Sequence, residues 1–217
     1  GFFRALPAEG ILAAAPDVLF VSPDAGPPEV LESLEAAGVV VVRLPAMTAE
    51  IESFEAIIDM IGVAVGAPDH AADLADALVA AYGEVAMTAA DDAPIVLYAV
   101  ARGQNVMLTG LDSPSNTFIE AVGFTPAAEA LGLDTAAPLT PEAIVVADPV
   151  VIITTHSSAA QAGGEAAFLA LPGVAESTAG INAALVVWDD DAEIQQWTPR
   201  TPTMLLELRA VLDELLG

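Results

Sequence analysis

The apolar positions of this chain change period repeatedly. Short runs rich in branched apolar residues, Val18 to Val21, Val39 to Leu44, Ile95 to Val100, Val150 to Thr155 and Ala184 to Trp188, alternate with stretches whose apolar residues recur three or four apart. The short runs read as buried, mostly parallel strands and the spaced stretches as helices covering them. One unit occurs twice, as Glu9-Gly-Ile-Leu-Ala-Ala-Ala-Pro16-Asp-Val-Leu-Phe-Val-Ser22 and as Glu142-Ala-Ile-Val-Val-Ala-Asp-Pro149-Val-Val-Ile-Ile-Thr-Thr155. Pro7 precedes the first copy and Thr140-Pro141 the second; proline suits a first helical turn and an acid there favours the helix dipole. A later proline stops each helix, and a strand follows. The predicted fold class is therefore α/β, two Rossmann-like lobes with mostly parallel central sheets.

Between the copies, Ser22 to Pro28 forms a turn-rich loop at a strand's C-terminal end, where open α/β sheets place ligands. Glu29 to Ala37 reads as a helix ended by Gly38, completing a strand-helix-strand unit. Thr48 to Val65 carries Ile51, Phe54, Ile57, Ile58 and Ile61 at helical spacing, with Thr48 as its cap. Pro68 opens a further helix to about Ala90, expected to join the lobes. The expected organisation is an N-lobe over 1–67, a connecting helix over 68–92 and a C-lobe over 93–217. In the C-lobe, residues 101–105, 155–164 and 197–200 read as loops, and Pro202 to Leu216 as the terminal helix.

Charge narrows the possible partners. Thirty-one acids oppose five basic residues, all arginine, giving a formal net charge of −26. That excludes a general nucleic-acid or anionic-membrane binder. Lysine absence with abundant carboxylates fits a salt-adapted chain, in which ions screen the self-repulsion. There is no cysteine, so disulfides do not report a redox compartment. Gly1-Phe2-Phe3-Arg4 reads as the middle of a domain rather than a start, and no run of 18 apolar residues suggests a membrane span.

His156 is the sharpest candidate for chemistry: it follows an apolar strand directly, and imidazole is a good ligand for iron or cobalt, though a hydrogen-bonded structural histidine fits the same place. His70 reads as solvated. Tyr98 could line a cleft and Met107 could coordinate a haem iron, but both sit in strands whose packing accounts for them. Arg4, Arg102 and Arg200 all fall at predicted cleft loops, whereas Arg43 and Arg209 lie at a strand end and on a helix. Two distant histidines and no matched carboxylate pair argue against a metal-dependent enzyme or metal carrier, the less favoured alternative.

Several segments resemble the substrate-binding proteins of ABC importers for haem, cobalamin and iron-siderophores. They are Arg4-Ala-Leu-Pro-Ala-Glu-Gly-Ile-Leu, Gly26-Pro-Pro-Glu-Val-Leu-Glu, Gly163-Gly-Glu-Ala-Ala-Phe-Leu-Ala-Leu-Pro-Gly-Val-Ala and Pro199-Arg-Thr-Pro, and the likeness is strongest to the haem-binding branch. The resemblance implies a non-catalytic, extracytoplasmic, monomeric receptor with two lobes joined by one long helix, with cargo held between them and an ABC permease as partner. It also implies a signal peptide, a strand and a helix ahead of the position of Gly1. Glu9 and Glu142 fall where relatives dock onto permease arginines; the alternative is that both are simply helix-start acids. Haem-binding relatives carry Gly-Tyr-x-Arg where this chain has Gly1-Phe2-Phe3-Arg4. Phe2 cannot coordinate iron but could stack on a macrocycle, and Arg4 could pair with a propionate or form a surface ion pair. The departure keeps cobalamin or a ferric siderophore as the alternative cargo. Trp197 and Arg200 share a loop that reaches the cleft in relatives, where they would offer a stacking face and a cation.

Overall fold

A computed structural model describes residues 4–102, 105–189 and 191–217, apart from the side chains of Arg102, Asp191 and Ala192. The chain divides into two compact units. The first covers residues up to Met47 together with Glu52–Ala77; the second takes Thr48–Ile51 and Leu78–Gly217.

Unit 1 begins with α1 (Ala8–Ala14), β1 (Val18–Val21), α2 (Pro28–Ala36) and β2 (Val40–Arg43). The two strands pair in parallel, Val18 opposite Val40 and Val21 opposite Arg43. Helix α2 carries the crossover and buries Leu31 and Leu34. It ends where Gly38 takes a positive φ of 95°, a conformation that glycine adopts without a Cβ clash. Next come α3 (Ile51–Ala64) and α4 (Pro68–Val85). Phe54, Ile57 and Ile58 of α3 are buried, and Gly62 meets Ala71 so closely that a Cβ on Gly62 would lie 2.2 Å from the alanine methyl. The division between the units falls inside α4, after Ala77. This helix stops at Val85, short of the expected Ala90, because the Met87 amide donates to Ala121 O at 2.6 Å instead of continuing the turn.

Unit 2 continues with β3 (Ile95–Arg102), β4 (Asn105–Leu108), α5 (Pro114–Ala121), β5 (Thr125–Pro126), α6 (Ala127–Ala130), β6 (Ala137–Pro138), α7 (Pro141–Ala147) and β7 (Val151–Thr155). It closes with α8 (His156–Gln161), α9 (Glu165–Leu169), α10 (Thr178–Ile181), β8 (Leu185–Trp188), α11 (Asp191–Gln195) and α12 (Thr201–Leu216). The sheet runs β6-β4-β3-β7-β8, with β5 also on β3. Strands β3, β5, β7 and β8 are parallel, whereas β4 and β6 run against them. Every residue of β7 is buried, as expected of a strand flanked on both sides and covered on both faces.

Two expected loops are ordered differently. Residues 101 and 102 lie in β3 and Asn105 in β4, and the two strands pair antiparallel with Arg102 opposite Asn105. Within 155–164, helix α8 starts immediately after β7. Buried Thr155 caps it, its hydroxyl accepting from the Ser158 amide at 3.3 Å.

Candidate functional site

Parallel strands gather their C-terminal ends at one side of unit 2. Arg102 ends β3, His156 follows the last residue of β7, and Asp189 follows the last residue of β8. Thr155 lies opposite Trp188, which sets the histidine and the aspartate level with each other. His156 Nδ1 stands 3.7 Å from Asp189 Oδ1, and the side chains are 71% and 97% exposed. The base of α8 is tied down: Ser158 Oγ accepts from the Ala101 amide at 3.0 Å and from Thr155 Oγ1 at 3.0 Å. Thr154 Oγ1 donates to Ala99 O at 2.9 Å. An exposed imidazole thus sits on a rigid, buried hydroxyl foundation. One ring nitrogen faces a carboxylate at 3.7 Å, longer than a direct hydrogen bond, so the pair is an electrostatic contact at the surface.

Arg200 precedes α12 and is exposed; its Nε pairs with Glu193 Oε1 at 2.7 Å. Trp197 does not offer a stacking face. It is 2% exposed, meets Tyr82 and Phe118 edge-on at 5.1 and 4.9 Å, and its indole donates to Thr48 O at 3.2 Å. The expected ligand surface is therefore a core anchor, which supports the Arg200 loop from beneath. Arg4, in unit 1, is exposed and paired with Asp24 at 2.9 Å. Phe2 and the Arg102 side chain lie outside the described residues. Met107 is half-buried in β4 and Tyr98 fully buried in β3, as the strand pattern predicted. Among the described residues no three His, Asp or Glu side chains gather as a metal site.

A polar cluster at the start of α5 was not picked out from the sequence. Buried Asn116 donates to Gly110 O at 2.6 Å and to Thr109 O at 3.1 Å, and Ser115 Oγ lies 2.8 Å from Ser113 Oγ. The Asp112-Ser-Pro-Ser-Asn116 string carries a signal for it, a cap residue with proline at the first helical position.

Glu9 and Glu142 both occupy the exposed first turn of a seven-residue helix. Around Glu142 lies a hollow of about 470 Å³ lined by Pro141, Val145, Val146, Pro172, Gly173 and Glu176. Val145 and Val146 are 57% and 72% exposed. Gly173, at φ +85°, lies so close to Pro141 that a Cβ there would be 2.6 Å from the proline Cα. Glu176 Oε2 accepts from its amide at 2.6 Å. On α1 the counterpart of Val145 is Leu12, also exposed.

A doubly divided α/β chain with its polar groups at strand ends matches one family, periplasmic binding protein, over residues 2–192. The chain belongs to that family, whose members are binding proteins, and membership implies an extracytoplasmic setting. Among solved structures it is similar to the periplasmic heme-binding protein RhuT from Roseiflexus sp. RS-1 in apo form, with 28% identity and a TM-score of 0.89, covering 100% of this chain and 83% of that one. The periplasmic heme-binding protein BhuT in complex with two hemes is 30% identical with a TM-score of 0.85, covering 100% and 82%. A periplasmic heme-binding protein from Pseudomonas aeruginosa is 28% identical with a TM-score of 0.75, covering 97% and 76%. No curated protein matches. Among the described residues no helix is long and apolar enough to cross a membrane.

Proposed function

We propose that this chain is the solute-binding receptor of an ABC importer, capturing haem and delivering it to the permease. The observation that carries this reading is the 30% identity, over the whole chain, to a protein whose structure holds two hemes. His156 is proposed as an axial ligand through Nε2, with Nδ1 turned to Asp189. Arg200 and Arg102 are proposed partners for haem propionates, since guanidinium pairs well with carboxylates. Arg4 is a further anion-binding candidate on unit 1.

Glu9 and Glu142 are proposed as the permease contacts. Support comes from their matched places in the two copies and from the exposed aliphatic side chains beside each. A carboxylate beside an apolar shelf suits an arginine, whose stem packs while its head group pairs. We propose that the protein acts as a monomer. Phe2, standing where haem-binding relatives have tyrosine, supports a second reading in which the cargo is cobalamin or a ferric siderophore.

Titration with haemin, cobalamin and ferric siderophores, followed in the visible spectrum, tests the cargo. A haem Soret shift that His156→Ala removes is the expected result. Binding of a corrinoid or siderophore in place of haem would establish the second reading, and no binding of any chelate would overturn both.

A further inference from the structure

We propose that the open edge of β8 is a docking groove for an extended, cationic polypeptide segment of a partner protein. Among the described residues, strand β8 ends the six-stranded sheet and pairs with β7 alone. Ala184 O accepts from the Ile152 amide at 3.0 Å, so Ala184, Val186 and Trp188 turn their backbone groups toward β7. By the alternation of a strand, the amide and carbonyl of Val187 and the carbonyl of Leu185 face the other way. A groove of about 910 Å³ runs along that side, with all four residues of β8 forming one wall and α12 the other.

The walls combine two chemistries. Leu185, Val187, Val211 and Leu215 give apolar surface, while Asp189, Glu207 and Glu214 supply three carboxylates beside Glu193, which is already paired with Arg200, and no described lining residue is basic. An unpaired strand edge invites strand addition, with main-chain hydrogen bonds giving affinity and alternate side chains giving choice. Carboxylates on both sides select a positively charged strand. A second copy of this chain is a poor occupant, because it would bring the same acids face to face.

The test uses the full chain at moderate salt and two ten-residue peptides, one alternating arginine and valine, the other of equal charge with prolines at central positions. The alternating peptide is expected to bind about tenfold tighter, because proline cannot complete the ladder. It should also slow amide exchange within Leu185–Trp188. Glu207→Gln combined with Glu214→Gln should weaken it about threefold, while Asp69→Asn with Asp73→Asn on α4 should leave it unchanged. Equal binding of both peptides would show attraction to an acidic surface only and overturn the proposal. So would exchange protection elsewhere, or edge amides protected by self-association without peptide.

Discussion

Glu9 and Glu142 each stand in the first turn of a seven-residue helix, and each helix stops at a left-handed residue followed by proline, Ala15 at φ 48° and Asp148 at φ 42°. Beyond that shared grammar the two copies part. Helix α1 buries nothing, and of β1 only Val21 is buried; α7 buries Ile144 and Ala147, and β7 is buried throughout. Asp148 also accepts from the Thr178 amide at 2.8 Å and hydroxyl at 3.1 Å, tying the second copy to α10, while the Ala15 methyl cannot accept a hydrogen bond. Thr140 caps α7 through the Ala143 amide at 3.2 Å, and Pro7 offers α1 no such bond. Local signals thus fix where an element starts and stops, whereas its neighbours decide how firmly it is held.

The comparison can be broken in order of effect. Reversing both acids, Glu9→Arg with Glu142→Arg, is expected to abolish transport in a reconstituted importer and leave haemin affinity intact. Singly, Glu142→Arg should cost more than Glu9→Arg, because its seat is the more rigid; equal losses would make the packing difference irrelevant to docking. In the strands, Ile152→Ala should destabilise by about 2–5 kcal/mol, whereas Leu19→Ala, half-buried at the equivalent place, should cost less than about half as much. Urea melts that gave equal values would refute the ranking. At the helix ends the signs should differ. Ala15→Gly relieves a Cβ in left-handed backbone and should stabilise by roughly 0.5 kcal/mol, while Asp148→Gly should destabilise by about 1 kcal/mol through the lost bonds to Thr178.

The smallest effect lies outside both copies and serves as a control. The Thr48 hydroxyl donates to the Glu50 carboxylate and holds its carboxyl below the ordinary value. A depressed folded value gives stability that is present above the unfolded value and lost as pH falls through the folded one. Thr48→Val should raise the Glu50 titration seen by NMR, so that variant and parent converge in acid and differ slightly at neutral pH.

The longer strands β1, β2, β3, β7 and β8 were legible because branched apolar runs have few alternatives, and the repeat because proline and glutamate punctuate it twice, whereas the two-residue strands β5 and β6 carry no such run. The end of α4 was not, since it is decided by a hydrogen bond from Met87 to a residue far along the chain. Helix α8 has only six residues, and its buried Thr155 cap reads, in sequence, as the end of a strand. Trp197 shows the limit most plainly: an indole beside an arginine suggests a flat-ligand platform, and only its packing between Tyr82 and Phe118 reveals a keystone. His156 was legible as a strand-end residue, but its partner Asp189 comes from a strand more than thirty residues on.

Gly173 carries an implication for inherited variation. Any side chain there must collide with Pro141 and push aside the helix that presents Glu142. If Glu142 is the permease contact proposed above, a chain so altered would fold its sheet and bind its cargo yet deliver it poorly, a failure that a binding assay on the isolated protein would miss.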